Sequence, residues 1–157
     1  MKFVKRILLV LLFLFVVAQF FGPEKNDGEL SSLDTFFSET NPPENVKLIL
    51  KESCMDCHSD RTRYPWYFNV TPINYWMTDH IDHGKGELNF SKWAEYSLKR
   101  KEHKMEEVWE EVNKKEMPLE SYTWTHSEAS LTDEQIQTVV DWAKTVQDDY
   151  KKQMSDQ

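Results

Sequence analysis

The chain begins with a long apolar segment, which is followed by amphipathic segments with the spacing of helices. Residues 7–21 are apolar except for Gln19. The residues after them mix glycine, proline, serine, asparagine and acidic side chains without a helical period, which predicts a flexible tether over 23–43. Farther along, apolar side chains recur three and four positions apart, and no segment alternates convincingly as a strand does. The pattern predicts an all-α domain of four or five helices over 44–147 and a C-terminal tail over 148–157.

The strongest helix signals lie in the second predicted helix of this domain. Thr71 suits an N-cap, Pro72 the first helical position and Gly84 the end of a helix of about three turns. The first predicted helix runs directly into the two cysteines of the chain, so they should lie at its C-terminal end. Helices are further predicted over 44–53, over 89–116 as one broken helix or two, and after a capping box formed by Thr132 and Gln135.

The N-terminal segment over residues 1–22 is typical of a targeting or membrane sequence. Three cations precede its apolar run: Lys2, Lys5 and Arg6. A helix over 7–21 rises about 22 Å against a hydrocarbon core of about 30 Å, and snorkelling of the nearby cations lengthens the span. We expect an uncleaved, single-pass transmembrane helix in a bacterial inner membrane, with the body on the periplasmic side. The alternative is export after signal cleavage, since Val16 and Ala18 are small enough to precede a cut.

The remainder of the chain is acidic and rich in aromatic residues. From residue 22 onward there are 27 acidic and 16 basic side chains, a balance of −11. This charge argues against nucleic acid as a partner and favours a protein partner with a basic docking surface. Aromatic residues make up 13% of the chain, which suggests either an aromatic core or walls for a large flat ligand. Trp66, Trp76 and Trp93 are the candidates for such walls.

Both cysteines of the chain lie in the sequence CMDCH, as Cys54 and Cys57, with His58 directly after the second. C-x-x-C-H is the attachment signature of c-type haem, in which two thiols add to the vinyl groups and the histidine ligates the iron. One alternative is a disulfide or redox dithiol, which would ordinarily lie in a βαβ fold. Another is a zinc site completed by His80 and His83. The arrangement favours one covalent haem c.

A haem iron takes a second axial ligand unless a substrate or gas binds at that position. Met117 is the first candidate, because Pro118 ends helix propagation and fixes a loop that precedes the last helix. His80 is the alternative ligand, and an open position is the third possibility. His126 is interpreted as a packing or hydrogen-bonding residue and His103 as a solvated one.

Several short stretches of the domain are distinctive in combination. They are CMDCHS at 54–59, YPWY at 64–67, TP at 71–72, HIDHGKGELNFSKW at 80–93, MPLESY at 117–122 and HSEASLT at 126–132. Together they resemble a bacterial haem-binding domain family that has a C-x-x-C-H motif and is related to cytochrome c. The resemblance implies a small cytochrome c-like helical domain around one covalent haem held by Cys54, Cys57 and His58. It leaves the distal ligand open, because His80 and Met117 both lie within these stretches.

These features predict a membrane-anchored monohaem protein that transfers electrons and has no catalytic residue. If both axial positions are filled by side chains, the site needs no acid or base. The alternative is a haem-based peroxidase, or a gas or redox sensor, with an open or histidine-lined distal site. The expected partners are a redox protein and, through the N-terminal helix, the membrane.

Overall fold

The computed structural model describes residues 2–156, and within that range it is helical without any β-strand. The all-α prediction is therefore confirmed. The α-helices are α1 (Lys2–Ala18), α2 (Asp34–Thr40), α3 (Glu44–Ser53), α4 (Met55–His58), α5 (Ile73–Glu87), α6 (Leu98–Asn113), α7 (Glu120–Thr123) and α8 (Asp133–Ser155). Short 3-10 helices cover Leu30–Leu33, Trp66–Asn69, Phe90–Glu95 and Ser127–Ala129. Met1, in the predicted anchor, and Gln157, in the predicted tail, lie outside the described residues.

The predicted transmembrane helix is not found. Among residues 2–156, no helix is both long enough and apolar enough to cross a membrane. Helix α1 covers 17 residues, which rise about 26 Å, less than the roughly 30 Å of a hydrocarbon core. Just beyond α1, Gln19 is bound to the segment that precedes α5, since Thr71 N donates to Gln19 Oε1 at 2.9 Å.

The hydrophobic core lies where α2, α3, α6 and α8 meet the Phe90–Glu95 helix. Trp93 is fully buried, and its Nε1 donates a hydrogen bond to Tyr150 Oη at 3.1 Å. The rings of Phe36 and Trp93 meet edge to face with their centroids 5.1 Å apart. Buried aromatic rings of this kind contribute strongly to the stability of a core, because each removes a large apolar area from water.

The segment predicted to be a flexible tether is partly folded against this core. Its residues 30–40 form a 3-10 helix and α2, which bury Leu33 and Phe36. Trp142 Nε1 on α8 donates to Thr40 O at 3.2 Å and holds the end of α2. The prediction was wrong here because one short helix with two core side chains is too brief to produce a helical period in the sequence.

The C-terminal tail prediction is also corrected, because α8 continues to Ser155 and buries Tyr150. Its capping box is confirmed: Gln135 N donates to Thr132 Oγ1 at 3.2 Å, and Thr132 N donates to Gln135 Oε1 at 2.9 Å. The segment over 89–116 divides into a 3-10 helix and α6, with Ser97 as the N-cap of α6. Helix α5 does not end at Gly84 but continues to Glu87.

Candidate functional site

The C-x-x-C-H residues form a single helical turn that follows α3 after one break. Cys54 separates the two helices, with φ −124° and ψ −43°. The backbone N–H groups of Cys57 and His58 both donate to Cys54 O, at 3.2 and 3.0 Å. This hydrogen bonding closes the turn, so both thiols and the imidazole project from one short piece of chain.

Gly84 of α5 packs directly on this turn. A Cβ atom at residue 84 would lie 2.8 Å from Cys57 O, closer than real Cβ atoms approach, and 3.1 Å from Cys57 Cβ, which is tighter than most such contacts. The glycine is therefore required for the close approach of α5 to α4, and its helix-ending interpretation from the sequence was wrong. A hydrogen at this position lets two helices meet where any side chain would separate them.

The two thiols are free and partly buried. Burial, with a smaller contribution from the neighbouring Cys57, raises the pKa of Cys54 to about 12. Burial and the Asp56 carboxylate raise the pKa of Cys57 to about 11. The thiolate is the reactive form of cysteine, so the raised pKa values of both thiols do not favour a redox dithiol. In addition, no three His, Cys, Asp or Glu side chains of residues 2–156 group as a metal site would require.

His58 is oriented by the backbone of the residues after α5. Its Nδ1 lies 3.0 Å from Leu88 O, and because a carbonyl only accepts, Nδ1 carries the hydrogen. Nε2 is then the nitrogen with a lone pair, the form in which a histidine ligates a metal. Burial lowers the pKa of His58, opposed by the hydrogen bonds to Leu88 and Gly84, so the imidazole is neutral at neutral pH.

All five residues singled out in the sequence line one cavity of about 410 Å³ between α3, α5 and the loop before α7. They are Cys54, Cys57, His58, His80 and Met117, and we call this space the motif cavity. A second cavity of about 360 Å³ shares Cys54, His58 and Met117 with it. A third, of about 410 Å³, shares Cys57 and His80. These volumes lie within the range of small-molecule and cofactor sites.

The candidate distal ligands are held differently. Met117 is half-buried, and its backbone N–H donates to Glu111 O of α6 at 3.2 Å. His80 is also half-buried, and its Nδ1 donates to Trp76 O at 2.9 Å within α5, which leaves Nε2 as the basic nitrogen. Both residues line the motif cavity, and each has a side-chain atom that can ligate iron.

The other histidines take less central positions. His83 is exposed although it lines the motif cavity. His103 is exposed and lies beside Glu106 and Glu107, in agreement with its interpretation as solvated. His126 stacks on the ring of Tyr122 at 4.2 Å and lines the third cavity, in agreement with a packing and hydrogen-bonding role.

The tryptophans predicted to form walls divide into three environments. Trp93 lies in the core and lines none of the three cavities. Trp66 is 79% exposed. Trp76 alone of the three lines a cavity, the third one, together with Tyr67 and Trp124.

Three polar residues at the site were missed in the sequence: Asp56, Arg63 and Tyr122. The Asp56 side chain is only 8% exposed and lies between the two cysteines in sequence. Arg63 Nε donates to Asp56 Oδ1 at 3.1 Å, and Tyr122 Oη donates to Asp56 Oδ2 at 2.7 Å. In the sequence, the available signal for this cluster was Asp56 itself, an acidic residue inside the C-x-x-C-H motif. A carboxylate buried there requires hydrogen-bond donors from elsewhere in the fold.

One known protein family matches most of the chain. The sequence model of a family described as haem-binding domain matches residues 13–145 of the chain. The chain belongs to the haem-binding domain family. No curated protein and no solved structure gave a match.

The site fits the haem cofactor of this haem-binding domain. The motif cavity is predominantly apolar, as a porphyrin requires, and His58 presents a neutral imidazole. Ser53 Oγ, in the wall of the motif cavity, is buried and has no hydrogen-bond partner among residues 2–156. Because buried hydroxyls are ordinarily paired, this group suits a ligand with a polar atom.

Proposed function

We propose that this haem-binding protein is a monohaem c-type electron carrier. In this proposal Cys54 and Cys57 attach the haem through thioethers, His58 is the proximal ligand and Met117 the distal ligand. The observation that supports it most is the Nδ1 hydrogen bond of His58 to Leu88 O, which leaves Nε2 for the iron in a cavity shared with both cysteines and Met117.

A haem in this site supplies one-electron redox chemistry. The chain has to hold it, orient its ligands and limit access of water. His58 is fixed by Leu88 and by the Gly84 contact beneath Cys57. A Met117 thioether raises the reduction potential relative to a second histidine, and the apolar walls of the motif cavity raise it further.

The acidic balance of the chain supports a basic redox protein as the partner. Three glutamates line the second cavity beside Cys54 and Met117: Glu87, Glu107 and Glu111. Electron transfer to a basic partner should therefore slow as salt screens the attraction. We further propose that the apolar N-terminal segment exports the chain, so that attachment and transfer take place outside the cytoplasm.

A haem enzyme or sensor is the second candidate function, and the third cavity favours it. That cavity meets the motif cavity at His80 and contains His126 and Tyr67, groups that donate or accept protons. In this alternative His80 assists at an open iron position instead of Met117 ligating it.

The attachment is tested by producing the full chain with and without cytochrome c maturation machinery. We expect one haem per chain that survives denaturation and extraction, and only with the machinery. Cys54→Ala and Cys57→Ala should each lose one thioether, detected by the shift of the haem absorption band. A chain that lacks covalent haem when the machinery is present would contradict the proposal.

The distal ligand is tested by comparing three variants of the loaded protein. Met117→Ala should abolish the thioether-to-iron charge-transfer band and convert the iron to high spin. Met154→Ala, a substitution near the end of α8, is the matched control and should leave the spectrum unchanged. If His80→Ala instead removes the low-spin signal while Met117→Ala is silent, His80 is the distal ligand and the assignment of Met117 is wrong. A high-spin iron in the unsubstituted protein that readily binds added ligands would support the enzyme or sensor instead.

A further inference from the structure

Tyr122 connects the loop that contains Met117 to the C-x-x-C-H turn. It lies in α7, five positions after Met117, and its hydroxyl donates to Asp56 Oδ2 at 2.7 Å. Among residues 2–156, this is the single hydrogen bond between residues 117–123 and residues 54–58. The side chain is half-buried and lines the motif cavity.

Asp56 is a rigid acceptor for this hydrogen bond. Arg63 N donates to Asp56 Oδ1 at 2.9 Å, and the Arg63 guanidinium donates to both carboxylate oxygens, at 3.1 to 3.3 Å. Arg63 is itself held by Glu52 Oε2 at 2.7 Å, at the end of α3. Charge-assisted hydrogen bonds of this kind are stronger than neutral ones and fix geometry.

The opposite end of the Met117 loop is hydrogen-bonded to α6 through its backbone, and Met117 packs against the core there. Glu116 N and Met117 N both donate to Glu111 O of α6, at 3.0 and 3.2 Å. The position of Met117 relative to His58 thus depends on α6 on one side and on the Tyr122–Asp56 contact on the other.

We propose that Tyr122 is a positioning residue which, through Asp56, holds the Met117 loop at the distance from the C-x-x-C-H turn that distal ligation requires. This inference rests on the proposed function, in which Met117 ligates the iron opposite His58. Tyr122 does not touch the iron in this scheme. It acts by restricting a loop whose α7 helix has only four residues and is too short to be stable by itself.

The test compares Tyr122→Phe with Tyr150→Phe in the loaded full chain. Tyr150 is the matched control because its hydroxyl also donates to a carboxylate, Glu39 Oε2 at 3.2 Å, and because it lines none of the three cavities. Tyr122→Phe should keep one covalent haem per chain but weaken Met117 ligation. Loss of a hydrogen bond to a carboxylate predicts that added imidazole displaces the methionine with roughly tenfold higher affinity. Tyr150→Phe should change this affinity less than twofold.

A double-mutant cycle with Asp56→Asn separates this role from a general effect on folding. The substitutions at 122 and 56 should be non-additive in imidazole affinity, because both act on the same hydrogen bond. If Tyr122→Phe binds imidazole as the Tyr150 control does while Met117→Ala loses the charge-transfer band, the positioning role is overturned and the carrier proposal stands. If Met117→Ala is silent, the positioning role and the assignment of Met117 as distal ligand both fail.

Discussion

Trp93 and Trp124 lie in two regions of this protein with opposite packing. Trp93 is fully buried among Phe36, Phe90 and Tyr150, in the part of the domain formed by α2, α6 and α8. Trp124, in the part that surrounds the cavities, is 73% exposed. The same residue type therefore supplies core volume in one region and cavity wall in the other. High aromatic content alone does not distinguish a packed core from a ligand site.

The two regions are also held together by different interactions. The packed region depends on apolar burial, which is non-directional and tolerates some rearrangement. The cavity region contains α4 and α7, helices of four residues each, which depend on polar contacts and on close backbone approach. Around the C-x-x-C-H turn, a small change in backbone geometry should therefore lower stability more than a small change in side-chain hydrophobicity.

The largest effect on stability is expected from Trp93→Ala. The substitution removes a fully buried ring and the hydrogen bond to Tyr150, and should lower the free energy of unfolding by about 3–5 kcal/mol. Trp124→Ala in the cavity region should change it by about 0.5 kcal/mol or less. Denaturant unfolding followed by far-ultraviolet circular dichroism measures both, and equal losses would show that the two regions do not differ in packing.

An intermediate effect is expected at the contact between α5 and α4. Gly84→Ala should lower the free energy of unfolding by about 1–3 kcal/mol, because its Cβ would displace the Cys57 backbone. Gly86→Ala is the matched control two positions later, where a Cβ meets nothing within 4 Å. It should raise stability by about 0.5–1 kcal/mol through helix propensity. The same unfolding measurement tests this prediction. If both substitutions raised the free energy of unfolding, the close approach of α5 to α4 would be contradicted.

The last effect appears only at alkaline pH, where tyrosine ionises. Burial and the nearby Glu39 raise the pKa of Tyr150 to about 12, against the hydrogen bond from Trp93, which lowers it. Because the folded pKa is raised, the stabilisation is complete below the unfolded value of about 10 and is lost as pH rises through 12.

Tyr150→Phe should therefore flatten the fall in unfolding free energy between pH 10 and 12. Tyr75→Phe, at an exposed position on α5, is the control and should leave that fall unchanged. Urea unfolding at several pH values measures the slope. An unchanged slope in Tyr150→Phe would show that this residue does not ionise differently in the packed region.

Local signals in the sequence were sufficient for several features. The capping box of Thr132 and Gln135 specified the start of α8, and the C-x-x-C-H spacing put two thiols and an imidazole on one short turn. The 30–40 segment was missed because its burial depends on α8, more than 100 positions away in sequence. Tyr122 and Asp56 were missed as a pair for the same reason, since they are separated by 66 positions.

The sequence by itself determined the all-α class, the main helices and the position of the two thiols and the imidazole on one turn. These properties follow from short-range spacing and from caps, which act within one or two turns of a helix. Only the tertiary structure decided that Gly84 meets Cys57, that Leu88 selects the tautomer of His58, and that Met117 and His80 line the same cavity. Those contacts join residues distant along the chain, and packing of the whole fold sets their distances.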